Sequence, residues 1–178
     1  MADLPVEIVS MKEAGIEAEI EETGETFEEN AKIKAQAVAT HTDDIVLADD
    51  SGLEIDYLNK EPGVYSARYL GENTSYEIKN RTILDRLAGV EKEKRTARFV
   101  CAIAAVLPNK ETLVTRETIE GYIGERPAGE NGFGYDPIFY VEEYQCSTAE
   151  LSEEQKNAIS HRGKALRAMK KLLHEYGV

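Results

Sequence analysis

The sequence predicts an α/β protein built on a mixed, curved sheet. Short apolar runs of strand length are interspersed with segments of helical period. Two Thr-x-x-Glu capping boxes, at Thr26 and Thr74, announce helix starts. Strand-like and helix-like segments mix without strict βαβ alternation, which argues against an all-parallel sheet.

In chain order, the alternating run PVEIV predicts a first strand from about Val6 to Val9. Thr26 and Glu29 form the first capping box, and a helix is expected from there to about His41. IVLAD, Ile45 to Asp49, reads as a short buried strand, and LEIDYL as another. Pro62 and Gly63 mark a loop. Thr74-x-x-Glu77 opens a second helix to about Leu87, ended by Gly89. ARFVCAIAAVL, Ala97 to Leu107, is a long strand that turns at Asn109 and Lys110 and returns as TLVTRETIEGYIG, an antiparallel hairpin. After the glycine-rich stretch AGENGFGYDPIFY, a last helix is expected from Ser160 as N-cap to Tyr176, stopped by Gly177. Its apolar stripe is Leu166, Met169, Leu172, Leu173 and Tyr176.

Composition narrows the function. At 178 residues the chain suits a single domain spanning 1–178. It is 42% apolar and 31% charged, ordinary for a globular protein. No apolar run approaches the ~20 residues of a membrane span. The opening MADLPVEIVSMKEAG lacks the basic-then-apolar pattern of a signal peptide, so a cytoplasmic location is expected. The net charge of −13 sets the protein against nucleic acid and against phospholipid surfaces as broad partners. A phosphorylated small molecule stays possible where a cation bridges carboxylates to phosphates. Cys101 and Cys146 are far apart, with no C-x-x-C, so zinc is not expected; Cys101 reads as a core residue.

Four stretches carry chemistry. EETGETFEENAKIKA gathers Glu21, Glu22, Glu28 and Glu29 around a helix start. Acidic residues suit the positive end of a helix dipole, and they equally suit magnesium, so composition leaves both roles open. ADDSGL places Asp49 and Asp50 after an apolar strand, where α/β sheets bind ligands. Successive strand residues face opposite ways, so the two aspartates differ in role; an ordinary Asx turn is the alternative. SHRGKAL, preceded by Lys156, puts His161 and Arg162 in a helix's first turn, where a cation works against the dipole. An Arg there can fork onto a phosphate or a purine carbonyl. GFGYDP pairs Phe133 and Tyr135 with Asp136 on glycines that allow close approach of a flat ligand, or simply turns a loop with aromatics in the core.

Together these stretches resemble the inosine triphosphate pyrophosphatase family, the non-standard purine nucleoside triphosphate pyrophosphatases. EETGETFEENA, ADDSGL, PGVYSARY, NGFGYDPIF and KNAISHRGKAL occur in family order over nearly the whole chain. The resemblance implies an elongated mixed sheet flanked by helices, two lobes around a nucleotide cleft, and usually a homodimer. It implies magnesium-dependent hydrolysis of ITP, dITP or XTP to the monophosphate and pyrophosphate. By position, Asp50 matches the family's proton acceptor and a metal ligand, and Glu21 the second metal residue. Ser51 matches a substrate contact, and Phe133, Gly134, Tyr135 and Asp136 the base-binding loop. Lys156, His161 and Arg162 match the remaining nucleotide contacts. Donors on His161 or Arg162 would select the 6-oxo group over the adenine amine. Guanine shares that oxygen, so its rejection must rest on the 2-position.

The family pattern opens with a strand, a Thr/Ser-x-Asn-x-x-Lys phosphate loop and a long helix. This sequence shows no counterpart of them. That departure carries a second expectation: a purine-nucleotide-binding protein of the same fold with impaired catalysis. A pyrophosphatase acting on other damaged or standard triphosphates is a third.

Overall fold

The computed structural model describes residues 6–178. The helices are α1 (Phe27–Ala39), α2 (Tyr76–Arg86), α3 (Glu153–Ile159) and α4 (His161–Glu175). The strands are β1 (Val46–Ile55), β2 (Thr96–Val106), β3 (Thr112–Ile123), β4 (Phe139–Val141) and β5 (Cys146–Ser147). They form a five-stranded sheet in which each strand neighbours the next in sequence, β1-β2-β3-β4-β5. Residues 107–111 are too short for a crossover, so β2 and β3 make the expected hairpin. β3 and β4 pair antiparallel with Tyr122 opposite Tyr140, and β4 and β5 with Val141 opposite Cys146. The α/β class read from the sequence is the class observed.

The chain divides into two compact units. One takes the described residues up to Asp50 with Cys101–Glu117 and Arg162–Val178; the other takes Ser51–Val100 and Thr118–His161. In the first unit, Cys101, Ile103 and Ala105 share one face of β2 because side chains two apart point the same way. They pack with Ala165, Met169 and Leu173 of α4, spaced four apart along one helix face. In the second unit the core gathers Leu53 and Ile55 of β1, Ile83 of α2, Phe99 of β2 and Phe139 of β4. Arg95 is buried there at 4% exposure. Its guanidinium donates to the carbonyls of Ile123 (2.7 Å), Leu87 (2.8 Å) and Gly124. It thereby stitches the end of α2 to the end of β3, and burial pushes its pKa down. Among the described residues, no helix is long and apolar enough to cross a membrane.

Several expectations are corrected. Residues 6–10 are not a strand, and Val6, Ile8 and Val9 lie exposed. A strand exists through its ladder, and among the described residues none pairs there. The two strands expected at IVLAD and LEIDYL are one continuous β1, so ADDSG lies in mid-strand and not at a strand end. Ser75, not Thr74, caps α2, accepting from the Ile78 amide; the Thr74 hydroxyl donates back to the Leu70 carbonyl at 2.6 Å. The buried stripe of α4 is Ala165, Met169 and Leu173, whereas Leu166 and Tyr176 are exposed. Helix α3 was not anticipated, although Ser152 and Gln155 form a capping box at its start. Thr26 is the expected cap of α1, with both halves of its box made, a feature worth about 1 kcal/mol.

Candidate active site

In the first unit the chemistry gathers around Asp50. It is buried at 7% exposure in the middle of β1. Facing it is α1, whose capping box fixes where the helix begins. Asn30 and Lys34 are four residues apart on that helix and so lie on one face. The Asn30 amide donates to Asp50 Oδ2 at 3.3 Å, and Lys34 Nζ donates to Asp50 Oδ1 at 3.0 Å. Lys34 also pairs with Glu22 at 2.8 Å. The loop before α1 is tied to the same corner, because the Gly24 amide donates to Asn30 Oδ1 at 2.8 Å. A Cβ on Gly24 would stand 2.7 Å from that oxygen, so only glycine permits this approach.

Burial raises the Asp50 pKa above the usual carboxylate value; Lys34 and Asn30 oppose the shift, and Glu22 adds to it by repulsion. Lys34 behaves asymmetrically. Burial works against its charge, but Glu22 and Asp50 together outweigh burial and hold its pKa above the ordinary value. The asymmetry follows from numbers of partners: the lysine has two carboxylates, while Asp50 shares one cation with Glu22.

Glu21 is exposed and makes no ion pair among the described residues; Glu22 is the acidic residue brought to the corner. No group of three or more His, Cys, Asp or Glu is arranged to hold a metal among the described residues. Magnesium does not need one. It takes one or two carboxylates and fills its shell with phosphates and water. Two carboxylates already gathered around one ammonium form an all-oxygen donor set that suits it.

Asp49, one residue earlier on β1, serves a different partner. Its Oδ2 accepts from Arg162 Nε at 3.2 Å and Nη2 at 2.9 Å. Ser51 follows Asp50 on the strand and is half-buried.

In the second unit the stretch 132–136 is organised by Asp136, which is buried. Its carboxylate accepts from the Phe133 amide (2.9 Å), the Thr148 hydroxyl (2.8 Å) and Lys156 Nζ. Gly132 makes this possible: a Cβ there would meet Asp136 Oδ2 at 2.2 Å and Lys156 Nζ at 2.8 Å. The two aromatics part company. Tyr135 is buried and donates its hydroxyl to the Ser66 carbonyl at 2.7 Å, and burial raises its pKa. Phe133 stands 69% exposed, with Lys156 Nζ 5.5 Å from its ring centre. The Gly134 carbonyl accepts from Asn80 at 3.0 Å, fixing the loop to α2. His161 stacks on Phe99 with ring centres 5.1 Å apart.

Residues 1–172 match the Ham1 family. The chain belongs to the Ham1 family. Among its Ham1 relatives, a protein of Bacillus subtilis (strain 168) named dITP/XTP pyrophosphatase is 53% identical over 167 residues, covering 94% of this chain and 84% of that protein. One of Thermoanaerobacter pseudethanolicus, named likewise, is 54% identical, with 93% and 83% covered. The Staphylococcus aureus Ham1 protein superposes with a TM-score of 0.90 at 45% identity, over 96% of this chain and 88% of that one. A HAM1 protein of Coxiella burnetii gives 0.91 at 44% identity, over 98% and 89%. Sequence reading of this Ham1 chain missed Asn30 and Lys34 as partners of Asp50, and it singled out Asp49 without naming Arg162 as its partner. The first two carried a signal: an Asn and a Lys four apart on a helix that directly follows an acidic loop.

Proposed function

We propose that the protein hydrolyses non-standard purine nucleoside triphosphates (dITP, ITP and XTP) to the monophosphate and pyrophosphate. The observation that carries this is Asp50: a buried carboxylate with a raised pKa, held by Asn30 and Lys34 beside a second carboxylate. The names of the relatives, at 53–54% identity, support the substrate class.

Asp50 takes the proton of the attacking water, because a base with a raised pKa accepts a proton more readily. Lys34 and Asn30 fix which way its oxygens point. Asp50 with Glu21 and Glu22 supplies the carboxylates for magnesium. When bound, the ion neutralises charge on the phosphate oxygens. Lys156, placed by Asp136, offers its ammonium to the phosphates. Phe133, exposed on its glycine loop, offers a face for the base to stack on. Gly134, Tyr135 and Asp136 give that loop its shape, and Ser51 offers a hydroxyl beside the catalytic carboxylate. His161 and Arg162 donate to the purine 6-oxo group. A single domain, which the chain length suits, and a cytoplasmic location belong to the same reading; the homodimer rests on the family resemblance.

Side-by-side rates on ITP, XTP, dUTP and ATP test it, each with magnesium and with EDTA. ITP and XTP are expected to exceed ATP by at least about 100-fold in kcat/KM, because an adenine amine leaves the donors unpaired. EDTA is expected to abolish turnover. Equal rates on all four would contradict the selectivity.

A further inference from the structure

Asp49 and Asp50 are neighbours on β1, yet they hold groups on different elements. Asp50 meets Asn30 and Lys34 of α1, whereas Asp49 meets Arg162 in the first turn of α4. Strand alternation divides them. A single oxygen of Asp49 takes two of the five guanidinium N–H donors and the Cys101 thiol bonds the same guanidinium, so at most two donors remain for another acceptor.

We infer that Asp49 is a positioning residue for purine selectivity: it locks the Arg162 fork for an uncharged carbonyl of the base. The inference rests on the proposed function and deepens it. First, a lone Arg at a helix N-terminus faces the positive dipole end, and its side chain has many rotamers to lose on binding. An aspartate that already holds two of its donors removes much of that ordering cost before substrate arrives. Second, pairing with a carboxylate cancels the charge that would draw Arg162 to phosphate. A neutral Arg–Asp pair suits a neutral acceptor, so of the two ligands an Arg in this place can fork onto, the structure favours the purine oxygen. The pair itself adds little to stability, since the side chains are 46% and 42% exposed.

The test is a double-mutant cycle of Asp49→Ala and Arg162→Ala, with kcat and KM for ITP and ATP measured for each variant. Asp49→Ala is expected to raise the ITP KM about 5-fold, the most that a half-exposed ion pair can preorganise, while lowering kcat far less, and to cut the ITP-over-ATP preference by a similar factor. The double variant is expected to match Arg162→Ala alone in KM and preference, because Asp49 reaches the base through that residue. Asp49→Asn keeps the shape and one acceptor, and is expected to fall between wild type and Asp49→Ala; it carries the test where the alanine variant does not fold. Additive effects in the cycle, or an ITP KM and preference within about twofold of wild type, would overturn the inference while leaving the pyrophosphatase reading intact. Wild-type protein without ITP turnover would overturn both.

Discussion

Asp50→Asn is expected to lower pyrophosphate release from ITP by about 10²- to 10⁴-fold, the usual contribution of a positioned general base. The variant keeps the shape of the side chain and one acceptor for Lys34, but it cannot take a proton. Its stability should move little. Because burial raises the folded-state pKa of Asp50, the ionised carboxylate costs folding free energy at neutral pH, and that cost is relieved as pH falls through the raised pKa. An amide does not carry the cost. The melting temperature of Asp50→Asn is therefore expected within about 4 °C of wild type. Activity of the wild type should fall on the acid side at a pH above that of an ordinary aspartate, as the base becomes protonated. A fully active Asp50→Asn would remove Asp50 from the mechanism.

Arg95→Met is expected to produce the largest loss of stability, about 2–4 kcal/mol by urea unfolding. The change leaves the carbonyls of Ile123, Leu87 and Gly124 without their donor. Each orphaned group costs about 1–3 kcal/mol, offset in part by relief from a buried charge. Such a loss is a large share of the ~5–15 kcal/mol that holds a domain folded. A loss within about 1 kcal/mol of zero would mean that water replaces the guanidinium at those carbonyls.

Much of this was legible in the sequence where local chemistry decides the structure. The Thr26–Glu29 box sets the start of α1 because both of its hydrogen bonds form within one turn. The run from Ala97 reads as a strand because β2 is buried on both faces. Where neighbours decide, reading failed. ADDSG looks like a strand end, since Asp and Gly disfavour strands, but the ladder carries β1 straight through it. PVEIV has strand alternation and no described partner. At the candidate site, the ADDSG motif pointed to Asp50, which the structure buries against α1. Asn30 and Lys34 were hidden because their role depends on α1 lying against β1, a contact between residues 16 and 20 positions apart. The split of Phe133 from Tyr135 was equally invisible, since Tyr135 turns inward to reach Ser66, 69 positions earlier.

The measurement that bears most directly on the account is the identity of the products from dITP and magnesium, resolved by anion exchange. dIMP and pyrophosphate are expected in equal amounts, with no dIDP at any time. Formation of dIDP and orthophosphate, or intact dITP after prolonged incubation, would contradict it.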